Sequence, residues 1–168
     1  MHTNNPRTRL VVEARRLTNI RHENGEPYPM LDADLTAAPA KLSCTGFVVI
    51  VFRRALGDAL TQSFAHDAYH MWSDLPGGLT MVPTALVLPG DLAFFTREGD
   101  SSVHVHTGPG GSPQEWHVML ASIPATDVIG ACPMRGLVEE CPLVQYVERE
   151  DDRGRRWTLA GYLRPPGL

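Results

Sequence analysis

Six consecutive apolar residues, Phe47-Val48-Val49-Ile50-Val51-Phe52, constrain this chain more than anything else in it. A helix that is apolar all round is covered all round. The run is far shorter than the ~20 apolar residues that cross a bilayer, and Arg53 and Arg54 follow at once. It reads as a core helix, predicted over Cys44 to Leu56 and closed by Gly57. The helix opens on Cys44-Thr45-Gly46. A cysteine there meets unpaired backbone amides and the positive end of the helix dipole, and both favour the thiolate. The competing use of such a residue is a buried structural thiol. A nucleophilic thiol also needs a base from elsewhere in the chain.

Around this helix the pattern is simple. Arg7 to Leu17 predicts an amphipathic helix with Leu10, Val11, Ala14 and Leu17 on one stripe. Asn19 to Ser43 carries Pro27, Pro29 and Pro39 and reads as an extended approach to the cysteine. Asp58 is placed to cap a second helix running to about Trp72. Short strands are then predicted over 91–96, 103–107, 117–122, 127–131, 144–148 and 157–163. The charged stretch from Glu148 to Arg156 reads as a solvated turn. Helices followed by strands give an α+β domain with an antiparallel sheet. The 168 residues suit a single domain over 1–168.

Two further segments carry the chemistry. One is Leu88-Pro89-Gly90-Asp91-Leu92-Ala93-Phe94-Phe95, a turn entering a strand, where Asp91 reads as a structural turn residue. The other is Trp116-His117-Val118-Met119-Leu120. The order Cys-Thr-Gly-Phe, then Pro-Gly-Asp-Leu-x-Phe-Phe, then His-Val resembles the NlpC-type cell-wall cysteine peptidases, a branch of the papain-like superfamily. The resemblance covers roughly Tyr28 to Pro165. It implies a papain-like NlpC-type fold, with N-terminal helices packed on an antiparallel β-sheet and the nucleophile's helix against the strand that carries the histidine. It also implies a hydrolase acting on the peptide part of bacterial peptidoglycan, at a γ-D-glutamyl-diamino acid bond.

On that resemblance Cys44 is the nucleophile and His117 the base. His104, in Val103-His104-Val105-His106, is the competing histidine and otherwise the orienting group. Tyr28 and Thr45 are the residues expected near substrate or oxyanion, beside the Cys44 amide at the helix start. The sequence departs from the family in two places. Ser43 stands where aspartate often precedes the nucleophile. Gly130, in Ile129-Gly130-Ala131, stands where a polar side chain orients the imidazole. The second departure motivates an alternative: a weak or inactive domain of this fold serving as a structural subunit, for example of a phage tail tip.

Composition narrows the remaining classes. A net charge of −4 argues against a partner bound through phosphates, so no nucleic acid is expected. No membrane span, cofactor or metal is expected; a zinc site from His104, His106 and His117 lacks a marked carboxylate ligand. Met1-His2-Thr3-Asn4-Asn5-Pro6 contains no apolar leader. The expected route to the wall is a phage particle, a lysis lesion or dedicated export, or else the chain is a mature form whose signal has been removed; otherwise a cytoplasmic location is expected. The Cys-Pro pairs at Cys132 and Cys141 leave a bridge open, while reduced, buried thiols are favoured because nothing marks the chain as secreted.

Overall fold

The computed structural model describes residues 5–23, 39–64, 67–99, 106–107 and 113–168. Helix α1 spans Pro6–Arg16, capped by the Asn5 side chain, with Leu10, Val11 and Ala14 buried. Short strands β1 (Arg21–His22) and β2 (Lys41–Leu42) lead to α2 (Cys44–Leu56). Helix α2 begins where the Ser43 hydroxyl accepts the Gly46 amide at 3.1 Å. It ends at Gly57, whose φ of 89° suits a residue without a Cβ. Phe47 through Phe52 are all buried, at roughly 1.5–3 kcal/mol per large side chain. The helix packs against α1 and against the strands Pro113–Ile123 and Asp127–Cys132.

The predicted helix from Asp58 to Trp72 is broken. A 3₁₀ turn covers Thr61–Ser63 and a short helix α3 covers Ala68–Asp74. Asp58 is drawn back onto Arg53 at 2.6 Å, and Asp67 caps α3 instead, accepting the His70 amide at 2.9 Å.

Strands follow: β3 (Thr80–Val82), β4 (Leu92–Glu98), β5 (His106–Thr107), β6 (Pro113–Ile123), β7 (Asp127–Cys132), β8 (Leu137–Pro142) and β9 (Thr158–Arg164). Residues 144–148, predicted as a strand, belong to helix α4 (Leu143–Glu148). Leu143, Tyr146 and Val147 recur at helical spacing, and α4 presses Tyr146 into the core. The described strands form one sheet in the order β2-β1-β8-β7-β6-β4-β9-β3, with β5 also pairing to β6. Every pair is antiparallel except β1 with β2.

Side-chain alternation divides the sheet into two faces. Leu92, Phe94, Val118, Leu120, Ile129 and Val138 face α1, α2 and α3. Ala93, Phe95, Met119, Ala121, Val128 and Cys132 face the opposite way, where Tyr146, Trp157 and Tyr162 cover them. No described helix is long and apolar enough to cross a membrane.

Candidate functional site

Cys44 is the first residue of α2 and lies, partly buried, at the edge of the helix-side core. Backbone amides of Val118, Thr45 and Cys44 lie near enough to its sulfur to favour the thiolate. Burial pushes the thiol above its ordinary pKa; those backbone groups pull it back only in part, and the charge of Asp67 adds to the rise. The resting group is a thiol.

The Val118 contact places the sulfur. β6 pairs with β7 at Leu120, Ala121 and Ile123. β7 continues to pair with β8 as far as Cys132. The two central strands therefore part below Leu120, and the start of α2 reaches the β6 backbone there.

His117 precedes Val118 and projects to the opposite face of β6. Its ring lies 5.3 Å from Trp157, 6.0 Å from Tyr146 and 6.4 Å from Phe95. It is buried, and its Nε2 has no hydrogen-bond partner. Burial drives its pKa well below the usual histidine value, and the nearby charges of His22 and Arg97 push the same way. No hydrogen bond joins Cys44 to His117. They approach the same strand at neighbouring residues from its two sides. Tyr146 stacks on His117, and burial raises its phenol well above the ordinary value.

Gly130 lies on the His117 face. A Cβ built there would stand 2.9 Å from Met119 Cγ. The position where a polar orienter was expected is thus filled by the Met119 side chain. Thr45 is buried, and its amide is turned to the Cys44 sulfur. Tyr28 and His104 lie outside the described residues. Cys132 and Cys141 are free thiols, raised by burial to about 12 and about 11. Among the described residues no three metal-ligating side chains come together.

Sequence reasoning missed three features. His70 holds Asp67 through Nδ1 at 2.7 Å, and that hydrogen bond raises its pKa; the signal was an aspartate three residues before a histidine. Tyr146 and Trp157 frame His117, which no local pattern could show. The Glu148–Arg156 stretch is not wholly solvated: Asp151 and Arg155 join Arg97 and Glu115 in a half-buried ion network.

No family model matches the sequence, and no curated protein matches it. Solved structures do. NlpC1 from Trichomonas vaginalis aligns with a TM-score of 0.59 at 16% identity, over 98% of this chain and 45% of that one. NlpC2 from the same organism gives 0.57 at 13% identity, over 96% and 48%. The peptidoglycan hydrolase RipB from Mycobacterium tuberculosis gives a looser 0.49 at 17% identity, over 94% and 63%. The chain has the NlpC-type fold that its motifs implied, and spans about half the length of the two NlpC structures.

Proposed function

We propose that this domain is a thiol hydrolase acting on amide bonds in the peptide part of bacterial peptidoglycan, with Cys44 as nucleophile and His117 as general base. The observation that supports the reading is the NlpC-type fold with Cys44 at the start of α2 against β6; His117 is carried by the same strand, with its ring on the other face. The base takes the thiol proton during attack, which requires imidazole and sulfur to come within hydrogen-bond reach. Sγ then bonds to the scissile carbonyl carbon. The imidazolium returns the proton to the leaving amine. Water next attacks the thioester, His117 taking its proton, and releases the carboxylate and the thiol. The Cys44 amide at the helix start is the proposed donor for the oxyanion. The γ-D-glutamyl bond to a diamino acid is the substrate that the motif resemblance favours.

Purified cell walls test this. Wild-type protein should lower wall turbidity and expose new amino and carboxyl ends at one stem-peptide bond. Cys44→Ala should abolish the effect while keeping the fold, since alanine suits a helix start. His117→Ala should abolish turnover, whereas His104→Ala and His70→Ala should leave it measurable. If His104→Ala or His70→Ala is the dead variant and His117→Ala is active, the base has been misassigned.

A second reading has its own observation. Cys44 and His117 share no hydrogen bond, and Met119 fills the space beside Gly130. An inactive domain of this fold, used as a structural part of an assembly such as a phage tail tip, would tolerate both. Intact walls after prolonged incubation with folded wild-type protein favour that reading.

A further inference from the structure

Charge is missing from one end of the sheet. Of all residues 20% are charged, yet none stands between Asp74 and Asp91, between Ile123 and Asp127, or between Glu140 and Glu148. The fold brings these three stretches together. Thr80 of β3 lies opposite Arg164 at the end of β9, and the Leu86 carbonyl accepts Arg164 Nη2 at 2.8 Å. The Gly90 amide donates to the Ala121 carbonyl at 2.9 Å, and the Leu143 amide to the Thr126 carbonyl at 2.7 Å. They therefore crown the same end of six adjacent strands, β8-β7-β6-β4-β9-β3. At the usual strand spacing that row is about 24 Å long. Among the described residues the exposed large apolar side chains are Val12, Met81, Leu86, Leu88, Ile123 and Val144. All but Val12 belong to this end. Met81 and Leu86 are the barest, at 60% and 62%. The Arg164 guanidinium beside them is already held by Asp91 at 2.7 Å. β3 is also the last of the described strands in the sheet order, so no described strand covers its outer edge. Such edges are ordinarily guarded by charge, and β3 carries none.

We propose that this end of the sheet is a dimerisation face, and that its partner is a second copy of the chain related by a two-fold axis. Clustered apolar exposure marks a contact surface; the charge pattern selects the partner. A two-fold axis sets each group of the face near its own copy, where like charges repel. A chain of net charge −4 meets itself most favourably through a surface without charge, and this end supplies one. A partner recognised by its charge would find nothing here to answer it. β3 supplies the register: antiparallel pairing of Thr80–Val82 with its copy sets Met81 against Met81 across the axis. The face is separate from the thiol. Ile123 stands about 17 Å along β6 from Val118, where α2 brings Cys44.

Sedimentation equilibrium of the full chain with reductant present, over about 1–200 µM, reads the state directly. The mass should rise with concentration from 18.5 kDa toward twice that value and stop there. Leu86→Asp and Met81→Lys each set like charges across the axis and should weaken the dimer about tenfold or more. Val12→Asp, on α1 and away from the face, should dimerise as the wild type does. Iodoacetamide should alkylate Cys44 at the same rate in the dimer and in Leu86→Asp. Should Met81→Lys not fold, Leu86→Asp carries the same expectation at the barer position. Three results overturn the proposal: a wild-type mass that stays at 18.5 kDa throughout, a dimer that both variants leave intact, or growth past two copies, which means a head-to-tail contact. A wild-type monomer that instead binds phosphatidylcholine vesicles also overturns it and assigns the face to a lipid surface. None of these readouts depends on wall cleavage, so the face stands or falls apart from the hydrolase reading.

Discussion

At Cys44 two effects of helix position oppose each other. The amides of Cys44 and Thr45 favour a thiolate, and for an exposed residue they would win. Here Cys44 is partly buried where α2 meets β6, so desolvation dominates and the thiol's pKa rises. Alkylation by iodoacetamide at about pH 6 should therefore be slow, and should accelerate only above the ordinary thiol pKa of about 8.5. Asp67 supplies a controllable part of that rise, since its charge disfavours the thiolate. Asp67→Asn keeps a side chain able to cap α3 and removes the charge. It should speed alkylation of Cys44 at fixed pH; a slower rate would show that Asp67 acts on Cys44 by another route. The helix-start thiol was legible in the sequence. Its protonation state was not, because that depends on the strand that covers it.

Among the elements, α2 was legible to the residue because an unbroken apolar run and Gly57 agree, while the Ser43 hydroxyl that caps it came only with the structure. Ser43→Ala should cost about 1 kcal/mol of stability through loss of the Gly46 contact, read from urea unfolding. Strands β4, β6, β7 and β9 were legible within a few residues from their apolar content and turn boundaries. The stretch 144–148 was misread because a short apolar run has no period long enough to separate strand from helix. Faces were harder still. Alternation puts His117 with Met119 and Ala121, but only the packed structure shows that α2 covers the other side. Gly161 belongs to the same class of hidden constraint. It sits where the β4–β9 register shifts, with φ of 149° and a would-be Cβ 2.9 Å from the end of the Trp72 ring. Gly161→Ala should destabilise by about 1–3 kcal/mol. An unchanged melting temperature would mean that β9 slides aside without strain.

Across the whole molecule, one carboxylate ties the beginning of the described chain to its end. Asp91 is fully buried in the turn before β4. It accepts Arg7 of α1 at 3.0 Å, Arg164 of β9 at 2.7 and 2.9 Å, and the Leu88 amide at 2.9 Å. Burial alone would raise its pKa; Arg164, Leu88 and Arg7 together hold it below the ordinary aspartate value. Pro89-Gly90-Asp91 announced a turn, but its distant arginines were invisible in the sequence. Removing one partner of a buried ion pair costs about 3–5 kcal/mol. Asp91→Asn should approach the lower figure, because Arg7 and Arg164 retain 12% and 25% side-chain exposure. The pH dependence then follows from which state binds more protons. His117 lies well below its ordinary value and His22 is lowered to about 4, so the unfolded chain takes up their protons first. Stability should be full above about pH 6.5 and begin to fall as the pH drops toward 4. Asp91, also lowered, adds a second loss below about pH 4, where the unfolded carboxyl protonates. In urea unfolding across pH, Asp91→Asn should weaken the protein at neutral pH and shrink that second loss, while leaving the first, histidine-driven loss in place. An Asp91→Asn protein as stable as wild type at neutral pH, with the full acid profile, would show that the two arginines hold the chain's ends together without it.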